Sequence, residues 1–528
     1  MAGLLQRGFC LIVYNLRLPQ AGLTSVAGFQ DVRELLSHVR TSRSYKWWVF
    51  AAIAIGTFVS VVDSGSVLVA LPEIEEHFLS DLPTVQWVVV GNALAISALI
   101  LPMGRLGDIA GRKWVYIGGL GIFVVGSLLA GLAANLPWLI TAKAFQGFGS
   151  AMIQGNGMAT VISSFSVAER GKALGTHMSV VGSGAIAGPA IGGLLVASFG
   201  WQSVFFVNVP IGILTILITW YVLRPERDEE EDRARGRFDW LGAGLSAMAL
   251  LVFLLVVSNG HRLGWSSPAA LLGAGATAAL LAAFVWWELR TPSPMLELRL
   301  FKRKLVAIGA AAAWLSFMGM SSSRFMMPFY LQRVLEISPR DVGLLLIPPA
   351  LCMVLLGPVS GRLSDRFGWR ALTVSGLALS MAASIAIALS LTESSPVVFI
   401  VLMLMAQSAG MALFNSPNQS SLLSGVERNQ YGVASALMQL IRNSANVTSI
   451  AVATTVVVAT MGSYGVEPSL DAVSPAVADA FVAGLKWAFI LMGAMLLTGV
   501  ALAVIRGERQ RVEPTAPPRP EPAQSPAD

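Results

Sequence analysis

Five ionisable side chains lie inside long apolar stretches of this chain, where charge is costly. One is the acidic residue Asp63, and four are basic: Lys143, Arg324, Arg442 and Lys486. A charge at the centre of a bilayer costs about 3 kcal/mol or more, so such residues usually face a cavity and have a partner. Asp63 is the only carboxylate among the five. It is therefore the best candidate for a group that binds a proton and releases it as its surroundings change.

The composition places these residues in a membrane. Of the 528 residues, 55% are hydrophobic and 12% are charged, whereas a soluble domain carries about 25% charge. A membrane-spanning helix needs about 20 mostly apolar residues. Fourteen stretches meet that need: Trp47–Leu71, Val85–Met103, Trp114–Ala134, Trp138–Ile162, Ala173–Phe199, Val204–Leu223, Leu241–Val257, Ala269–Trp287, Leu305–Leu331, Val342–Ser360, Ala371–Leu391, Val397–Leu423, Val433–Met461 and Phe481–Ile505. The predicted fold class is an all-α integral membrane protein.

A repeated decapeptide divides the fourteen stretches. GRLGDIAGRK at Gly104–Lys113 is followed much later by GRLSDRFGWR at Gly361–Arg370, with five of ten positions identical. Each copy lies between the second and third stretch of a set of six, which predicts two six-helix bundles separated by two extra helices. The predicted divisions are a cytoplasmic N-terminal segment, a first bundle, loops with two extra helices, a second bundle and a disordered cytoplasmic tail: residues 1–46, 47–224, 225–304, 305–505 and 506–528.

The basic residues predict the orientation. The chain has 36 Lys and Arg residues, and most fall in the two termini and in the loops on the same side of the membrane. Cytoplasmic loops carry this excess, so both termini are predicted to be cytoplasmic, in a cell membrane or bacterial inner membrane. The first 46 residues are either a cytoplasmic, interfacial segment or the product of a misplaced start codon.

Glycines in the fifth stretch predict close helix packing. The pattern places small residues four apart, which gives a flat face for another helix, and includes a proline that removes one helical hydrogen bond. Its members are Gly184, Gly188, Pro189, Gly192 and Gly193. The pattern by itself predicts a face that packs helices together.

Taken together, these motifs resemble the major facilitator superfamily, specifically its fourteen-helix drug–proton antiporter branch. For the glycine face, the resemblance implies that close packing also seals a cavity. The decapeptide is similar to the loop signature GxLaDrxGrK, and the fifth stretch is similar to the antiporter signature GxxxGPxxGG. VVDSGSVLVALPEI and AKAFQGFGSAM resemble the branch motifs LDxTIVNVALPxI and ARxxQGxGAA. The resemblance covers roughly Val62 to Leu502. Two positions depart from it, because Lys143 stands where the branch has Arg and Leu68 where it has Asn.

The resemblance implies that the first and fourth helices line a central cavity, so Asp63 and Lys143 are expected to pair. The pair is either a static salt bridge or a coupling site in which Asp63 binds the proton and Lys143 tunes it. The resemblance also implies a gating latch in the decapeptide, formed by Gly104, Asp108, Gly111 and Arg112. Asp365 and Arg366 are its weaker counterpart in the second copy. The alternative for the decapeptide is a short basic turn that only fixes topology.

Four further polar residues are candidates for lining a substrate cavity: Arg442, Gln154, Asn415 and Arg324. Arg442 either faces the cavity or bonds backbone carbonyls, and Arg324 either contacts substrate or extends to the membrane interface. One acid against four bases favours neutral, zwitterionic, anionic or lipid-like substrates over cations.

The expected function is therefore proton-coupled export of a hydrophobic or amphipathic small molecule by alternating access. The expected partners are the substrate, protons and the lipid bilayer, with the proton gradient as energy source and no cofactor or metal. A proton symporter or facilitator for a nutrient or siderophore is an alternative, as is a non-transporting sensor of the same fold. An enzyme is disfavoured, because the apolar stretches contain no metal cluster and no Ser/His/Asp set.

Overall fold

The computed structural model describes residues 45–165, 169–224, 239–264, 266–291, 302, 304–424, 431–468, 470 and 474–505. These residues form fourteen long helices: α1 Tyr45–His77, α2 Trp87–Ala110, α3 Arg112–Gly131, α4 Leu136–Ser164, α5 Arg170–Phe199, α6 Asn208–Val222, α7 Trp240–Leu263, α8 Pro268–Glu288, α9 Lys304–Phe329, α10 Ile347–Phe367, α11 Trp369–Ser390, α12 Val397–Ser424, α13 Tyr431–Ser463 and α14 Pro475–Ile505. Short helical turns, Leu82–Val85, Ser203–Phe206 and Pro339–Leu345, precede α2, α6 and α10, and α9 continues as a π-helical turn at Tyr330–Val334.

Within the described residues, thirteen helical segments are long and apolar enough to cross a membrane. The long helix outside that set is α4, which spans 29 residues. Its interior carries Lys143, Gln146, Gln154 and Asn156, which lower its mean hydropathy. The helix that carries Lys143 and Gln154 is therefore the long helix that composition marks least strongly as a membrane span.

The two sets of six helices pack in the same way. In the first set, α1 contacts α5 and α6, α4 contacts α2 and α3, and α3 contacts α6. The same five contacts recur in the second set when eight is added to each helix number: α9 with α13 and α14, α12 with α10 and α11, and α11 with α14. The duplication expected from the decapeptide is thus a duplication of helix packing.

The two extra helices lie against a junction between the bundles. α7 and α8 pack on each other, and α7 also contacts α2 of the first bundle and α13 of the second. α2 and α13 are themselves in contact. The extra pair is therefore positioned beside the two bundles where they meet.

Several helices start where the sequence supplies an N-cap followed by proline. Asn135 Oδ1 accepts from the Trp138 N–H at 2.9 Å, and Ser267 Oγ accepts from the Ala270 N–H at 3.2 Å. Such caps satisfy backbone donors that a helix start leaves open, and proline is tolerated in the first turn because its missing N–H is not needed there.

Helix α1 extends beyond its predicted end. The stretch from Pro72 was expected to be a loop, yet the helix continues through Pro72 to His77. Glu75 is fully buried in this extension. Proline did not end the helix, and the carboxylates at Glu73, Glu75 and Glu76 lie on its last two turns rather than in a loop.

Candidate functional site

Asp63 lies at the centre of a buried polar network in the first bundle. Its Oδ2 accepts a hydrogen bond from Lys143 Nζ at 3.0 Å. Its Oδ1 accepts from Asn208 Nδ2 at 2.7 Å and from Gln146 Nε2 at 3.3 Å. The side chains of Asp63 and Lys143 are both only 3% exposed. The pairing expected for Asp63 and Lys143 is therefore present, and amides from two helices complete the shell of the carboxylate.

Lys143 is held from three directions. Besides Asp63, its ammonium donates to Gln146 Oε1 and lies 5.4 Å from the centroid of the Phe205 ring. Gln146 in turn donates to Ser127 Oγ at 2.7 Å. A buried ion pair is compatible with a low-dielectric interior only when further hydrogen bonds satisfy both groups, and this network supplies them from α3, α4 and α6.

The two amides of this network, Gln146 and Asn208, were not among the sequence candidates. Gln146 lies three residues after Lys143, one turn along the same face of α4. Asn208 is the first residue of α6. Both lie within conspicuous stretches, AKAFQGFGSAM and WQSVFFVNVPIG, but an uncharged amide in an apolar helix does not reveal from sequence which neighbour it bonds.

The glycine face of α5 packs directly on α1 beside Asp63. A Cβ placed on Gly188 would lie 3.0 Å from Gly65 Cα, and one placed on Gly192 would lie 2.5 Å from Ser66 Cα. Ser66 Oγ also donates to the Gly188 carbonyl oxygen at 2.8 Å. Only glycine permits this approach, which confirms the close packing expected of the pattern.

The same helix also meets the second bundle. A Cβ placed on Gly193 would lie 2.4 Å from the Pro339 carbonyl oxygen, and one placed on Gly343 would lie 2.4 Å from the Pro189 carbonyl oxygen. Helix α5 thus contacts α1 on one side and the turn before α10 on the other, with glycine making both contacts possible.

The decapeptide forms the same bend in both bundles. Gly111 separates α2 from α3 with φ of 93°, and Gly368 separates α10 from α11 with φ of 83°. These angles lie in the left-handed region that glycine adopts at little cost. The positive φ therefore explains why both copies have glycine at this position, whether or not the loop acts as a latch.

Other decapeptide residues have mixed placements. Gly104 packs near the backbone of Gly155 in α4. Arg112 Nη1 lies 3.5 Å from the Ala159 carbonyl oxygen, and Arg366 is exposed. The side chains of Asp108 and Asp365 lie outside the described residues. The latch between Asp108 and Arg112 stays a prediction.

The cavity candidates divide into two groups. Gln154 of α4 accepts from Gln439 Nε2 of α13 at 2.8 Å, which joins the two bundles. The guanidinium of Arg324 extends to Met353 Sδ of α10 at 3.4 Å and lies within electrostatic range of Arg442. Arg442 lies one turn after Gln439 on α13, so the two arginines lie near the contact that joins the bundles.

Asn415 is not linked to that group by any described hydrogen bond. It is half-buried on α12, a helix that packs against α9, α10 and α11. Three of the four candidates predicted from the sequence, Gln154, Arg324 and Arg442, thus lie in one region of the structure.

One end of the protein is tied closed between the bundles. We call the end with Gly111 and Gly368 the decapeptide face, and the other end the opposite face. At the opposite face, Arg333 Nη1 forms an ion pair with Glu76 Oε2 at 2.8 Å, and Arg333 Nη2 donates to the Pro72 carbonyl. Gln332 Nε2 donates to the Val69 carbonyl at 2.9 Å.

Backbone groups add to this closure. The Leu82 N–H donates to the Pro468 carbonyl at 3.0 Å, and the Leu470 N–H donates to Glu75 Oε1 at 3.3 Å. The buried Glu75 thus has a partner in the second bundle, which explains why its carboxylate is tolerated in the helical extension of α1.

A duplicated six-helix architecture with a buried ion pair and polar side chains between the bundles is that of a membrane transporter. The chain belongs to the Major Facilitator Superfamily, whose family model matches residues 53–449. Its fold agrees, since it is similar to an inward-facing bacterial homologue of the human lysosomal transporter Spinster, with a TM-score of 0.65, 18% identity and coverage of 88% of this chain and 97% of that one.

Two curated relatives have about a third of their residues in common with this chain. The riboflavin transporter RibZ of Clostridioides difficile (strain 630) is 31% identical over 400 residues, covering 75% of this chain and 85% of RibZ. The multidrug resistance protein Stp of Mycobacterium tuberculosis is 31% identical over 425 residues, covering 80% of this chain and 78% of Stp. The first relative is thus a riboflavin transporter, and the second is a multidrug resistance protein.

Proposed function

We propose that this protein is a proton-coupled exporter of a hydrophobic or amphipathic small molecule that works by alternating access. The observation that carries the proposal is the position of Asp63. It is a buried carboxylate with three donors, on a helix that packs directly against the glycine face of α5.

Proton binding would disturb this arrangement. A proton on Asp63 neutralises the carboxylate and so removes the negative charge that faces the Lys143 ammonium. Loss of the Lys143 contact would leave a buried ammonium without its counter-charge, which is unfavourable in a low-dielectric interior. Protonation is therefore expected to favour a different packing of α1 and α4.

Helix α5 is the route by which that change reaches the second bundle. It contacts α1 through Gly188 and Gly192, and it contacts the turn Pro339–Leu345 through Gly193. At these glycines the backbones are in direct contact, with no side chain between them to absorb a small shift. Movement of α1 is therefore expected to move α5 and to alter the closure of the opposite face.

The remaining parts of the proposal concern direction and energy. The distribution of Lys and Arg places the decapeptide face in the cytoplasm, so the closed opposite face is the outer one. The proton gradient supplies the energy, with no cofactor. The similarity to the multidrug resistance protein Stp supports export of an amphipathic compound.

A direct test is substrate-dependent proton movement in proteoliposomes. The purified protein is reconstituted with a pH-sensitive dye inside, and proton flux is recorded on addition of riboflavin, fluorescein or rhodamine 123. Antiport predicts that substrate and protons move in opposite directions.

Asp63→Asn is expected to abolish substrate-coupled proton flux while the variant still folds. Glu336→Gln is the matched control, because it makes the same carboxylate-to-amide change at an exposed position. Coupled flux in Asp63→Asn at the wild-type rate would contradict the proposal.

A second candidate is uptake of a nutrient by symport or facilitated diffusion, and the similarity to RibZ favours it. The same assay distinguishes it. Symport moves riboflavin and protons in one direction, facilitation moves riboflavin without protons, and a sensor moves neither.

A further inference from the structure

Two arginines of the second bundle are positioned to act on one molecule. Helices α9 and α13 are aligned by hydrogen bonds from Ser321 to Asn446 and between Ser322 and Ser449. Arg324 lies one turn after Ser321, and Arg442 lies one turn before Asn446. Their Cα atoms are thus separated by about 10 Å along the helix axes. Two long side chains from these positions can converge on a group between them.

Arg442 lies beside the space between the bundles, and Arg324 is within electrostatic range of it. Gln439, one turn before Arg442, bonds Gln154 of the first bundle, and Arg442 is within electrostatic range of His177 on α5. Arg324 is surrounded by protein and yet has an exposed side chain, as expected for a residue in a cavity. We call Arg324, Arg442, Gln154, Gln439 and His177 the central site.

The positive charges in the central site are not balanced. Among the described residues, neither arginine forms an ion pair, and the only hydrogen bond of Arg324 is to the sulfur of Met353, a weak acceptor. The two guanidiniums instead repel each other. An anion between two unpaired guanidiniums would offset the repulsion between them, so the arrangement favours a negatively charged ligand.

A second unsatisfied group lies beside the arginines. His177 is 8% exposed, and its Nδ1 has no hydrogen-bond partner among the described residues. Buried polar atoms are almost always hydrogen-bonded in folded proteins. An orphaned nitrogen next to unbalanced guanidiniums indicates that a polar ligand completes the site.

The surroundings of the arginines are apolar and adaptable. Trp314, Met353, Met438 and Ile441 are half-buried side chains packed against the core of the second bundle. Methionine fills irregular gaps and adjusts to different shapes. The site therefore combines two guanidiniums with a flexible apolar wall.

We propose that Arg324 and Arg442 together bind an anionic group of the transported molecule, a carboxylate or a similar organic anion, while the apolar wall holds its hydrophobic part. This inference rests on the proposed transport function and gives it a substrate class, amphipathic organic anions. Guanidiniums suit the role because they bind carboxylates through two parallel N–H donors.

The test compares two dyes with the same xanthene core and opposite charge. Binding of anionic fluorescein and cationic rhodamine 123 to the purified protein in detergent is measured by fluorescence anisotropy. We expect fluorescein to bind more tightly. Arg324→Gln and Arg442→Gln are each expected to weaken its binding about ten-fold or more and to leave rhodamine 123 binding unchanged or stronger. Lys486→Gln is the matched control, since it removes a positive charge elsewhere in the second bundle.

Thermal unfolding separates a ligand site from a structural role. Because the two guanidiniums repel each other, Arg442→Gln is expected to keep or raise the Tm of the ligand-free protein, and fluorescein is expected to raise the Tm of wild type only. A structural arginine bonded to carbonyls would instead lower the Tm when replaced.

Three results would overturn the inference: no saturable binding of fluorescein, tighter binding of rhodamine 123 by wild type, or unchanged fluorescein affinity in both arginine variants. Binding in detergent needs no proton gradient. Arginine-dependent fluorescein binding without coupled flux in proteoliposomes would therefore refute the proposed antiport and leave the anion site standing.

Discussion

At the residue scale, the Asp63 network differs from a simple buried salt bridge. A bare ion pair in a membrane interior seldom recovers the cost of desolvating both charges. Here Gln146 and Asn208 donate to the carboxylate, and Gln146 also accepts from the ammonium. The amides make the charged pair tolerable, and they also make it dependent on the relative positions of α1, α4 and α6.

Removing one partner of the pair tests this dependence. Lys143→Met leaves the Asp63 carboxylate without its counter-charge and is expected to cost about 3 kcal/mol of folding free energy, seen as a lowered Tm in detergent. Asp63→Asn combined with Lys143→Met removes both charges and is expected to recover most of that loss. The double variant should still lack coupled proton flux.

The control for this pair of variants is again Lys486→Gln, which removes a positive charge outside the network. A Lys143→Met protein with wild-type Tm would show that the ion pair contributes little to stability. Equal loss in the single and double variants would show that the lysine stem, rather than its charge, is what matters.

Charge is also what made part of the site predictable from sequence. Asp63 and Lys143 stand out because an ionisable group in an apolar helix is costly unless it has a partner or a function. Gln146, Asn208 and Ser127 carry no such mark, and which of many amides and hydroxyls joins the network depends on how three helices are rotated about their axes. Periodicity does not give that rotation when all sides of a helix are apolar.

At the element scale, α5 is a helix that connects the helix of Asp63 to the other bundle. Its glycines allow close backbone contact on two sides, with α1 and with the turn Pro339–Leu345. A substitution on the second side is expected to leave the first bundle intact and to change only how the bundles meet.

Gly193→Ala tests this expectation. The added Cβ would lie 2.4 Å from the Pro339 carbonyl oxygen, far inside van der Waals contact, so the closed opposite face should be destabilised by about 1–3 kcal/mol. Spin labels at Ala134 and Tyr464, exposed residues on the opposite face of the two bundles, report the change as a longer distance. The labels are placed in a background that lacks Cys10 and Cys352.

Gly275→Ala is the matched control, because a Cβ at Gly275 meets nothing within 4 Å. It should leave the label distance unchanged. An unaltered distance in Gly193→Ala would mean that α5 does not hold the closed face, and the proposed route from Asp63 to the second bundle would fail.

The elements themselves were largely predictable, and the errors have a common cause. Fourteen helices and their duplication follow from apolar length and from the repeated decapeptide. The ends differ because hydropathy detects the membrane rather than the helix: α1 continues to His77 through polar residues, and α2 continues to Ala110. Gly111, with its positive φ, ends α2 where hydropathy gave no sign.

At the scale of the whole molecule, the similar packing of the two bundles accounts for how the opposite face can be closed in one state and open in another. Two similar bodies that meet around a central site can rock about it, which opens one face as the other closes. Besides apolar packing between the bundles, the closed face is held by polar groups, and Arg333 bonds two of them, Glu76 and the Pro72 carbonyl. Polar contacts of this kind can be broken and reformed in each cycle.

Replacing Arg333 should therefore shift the protein toward an open opposite face. Glu76 is 58% exposed and Arg333 only 16%, and an exposed ion pair contributes only about 0–1 kcal/mol. Glu76→Gln is thus expected to have a small effect. Arg333→Ala loses the ion pair and the more buried bond to Pro72 together. The label distance between Ala134 and Tyr464 should therefore lengthen more in Arg333→Ala than in Glu76→Gln.

The control is Arg340→Ala, which removes an exposed arginine from the same face and should leave the label distance unchanged. High salt should lengthen the distance in wild type less than Arg333→Ala does, because screening weakens the ion pair but leaves the bond to Pro72. Equal distances in Arg333→Ala and wild type would show that the backbone bonds at Pro468 and Leu470 suffice to keep the face closed.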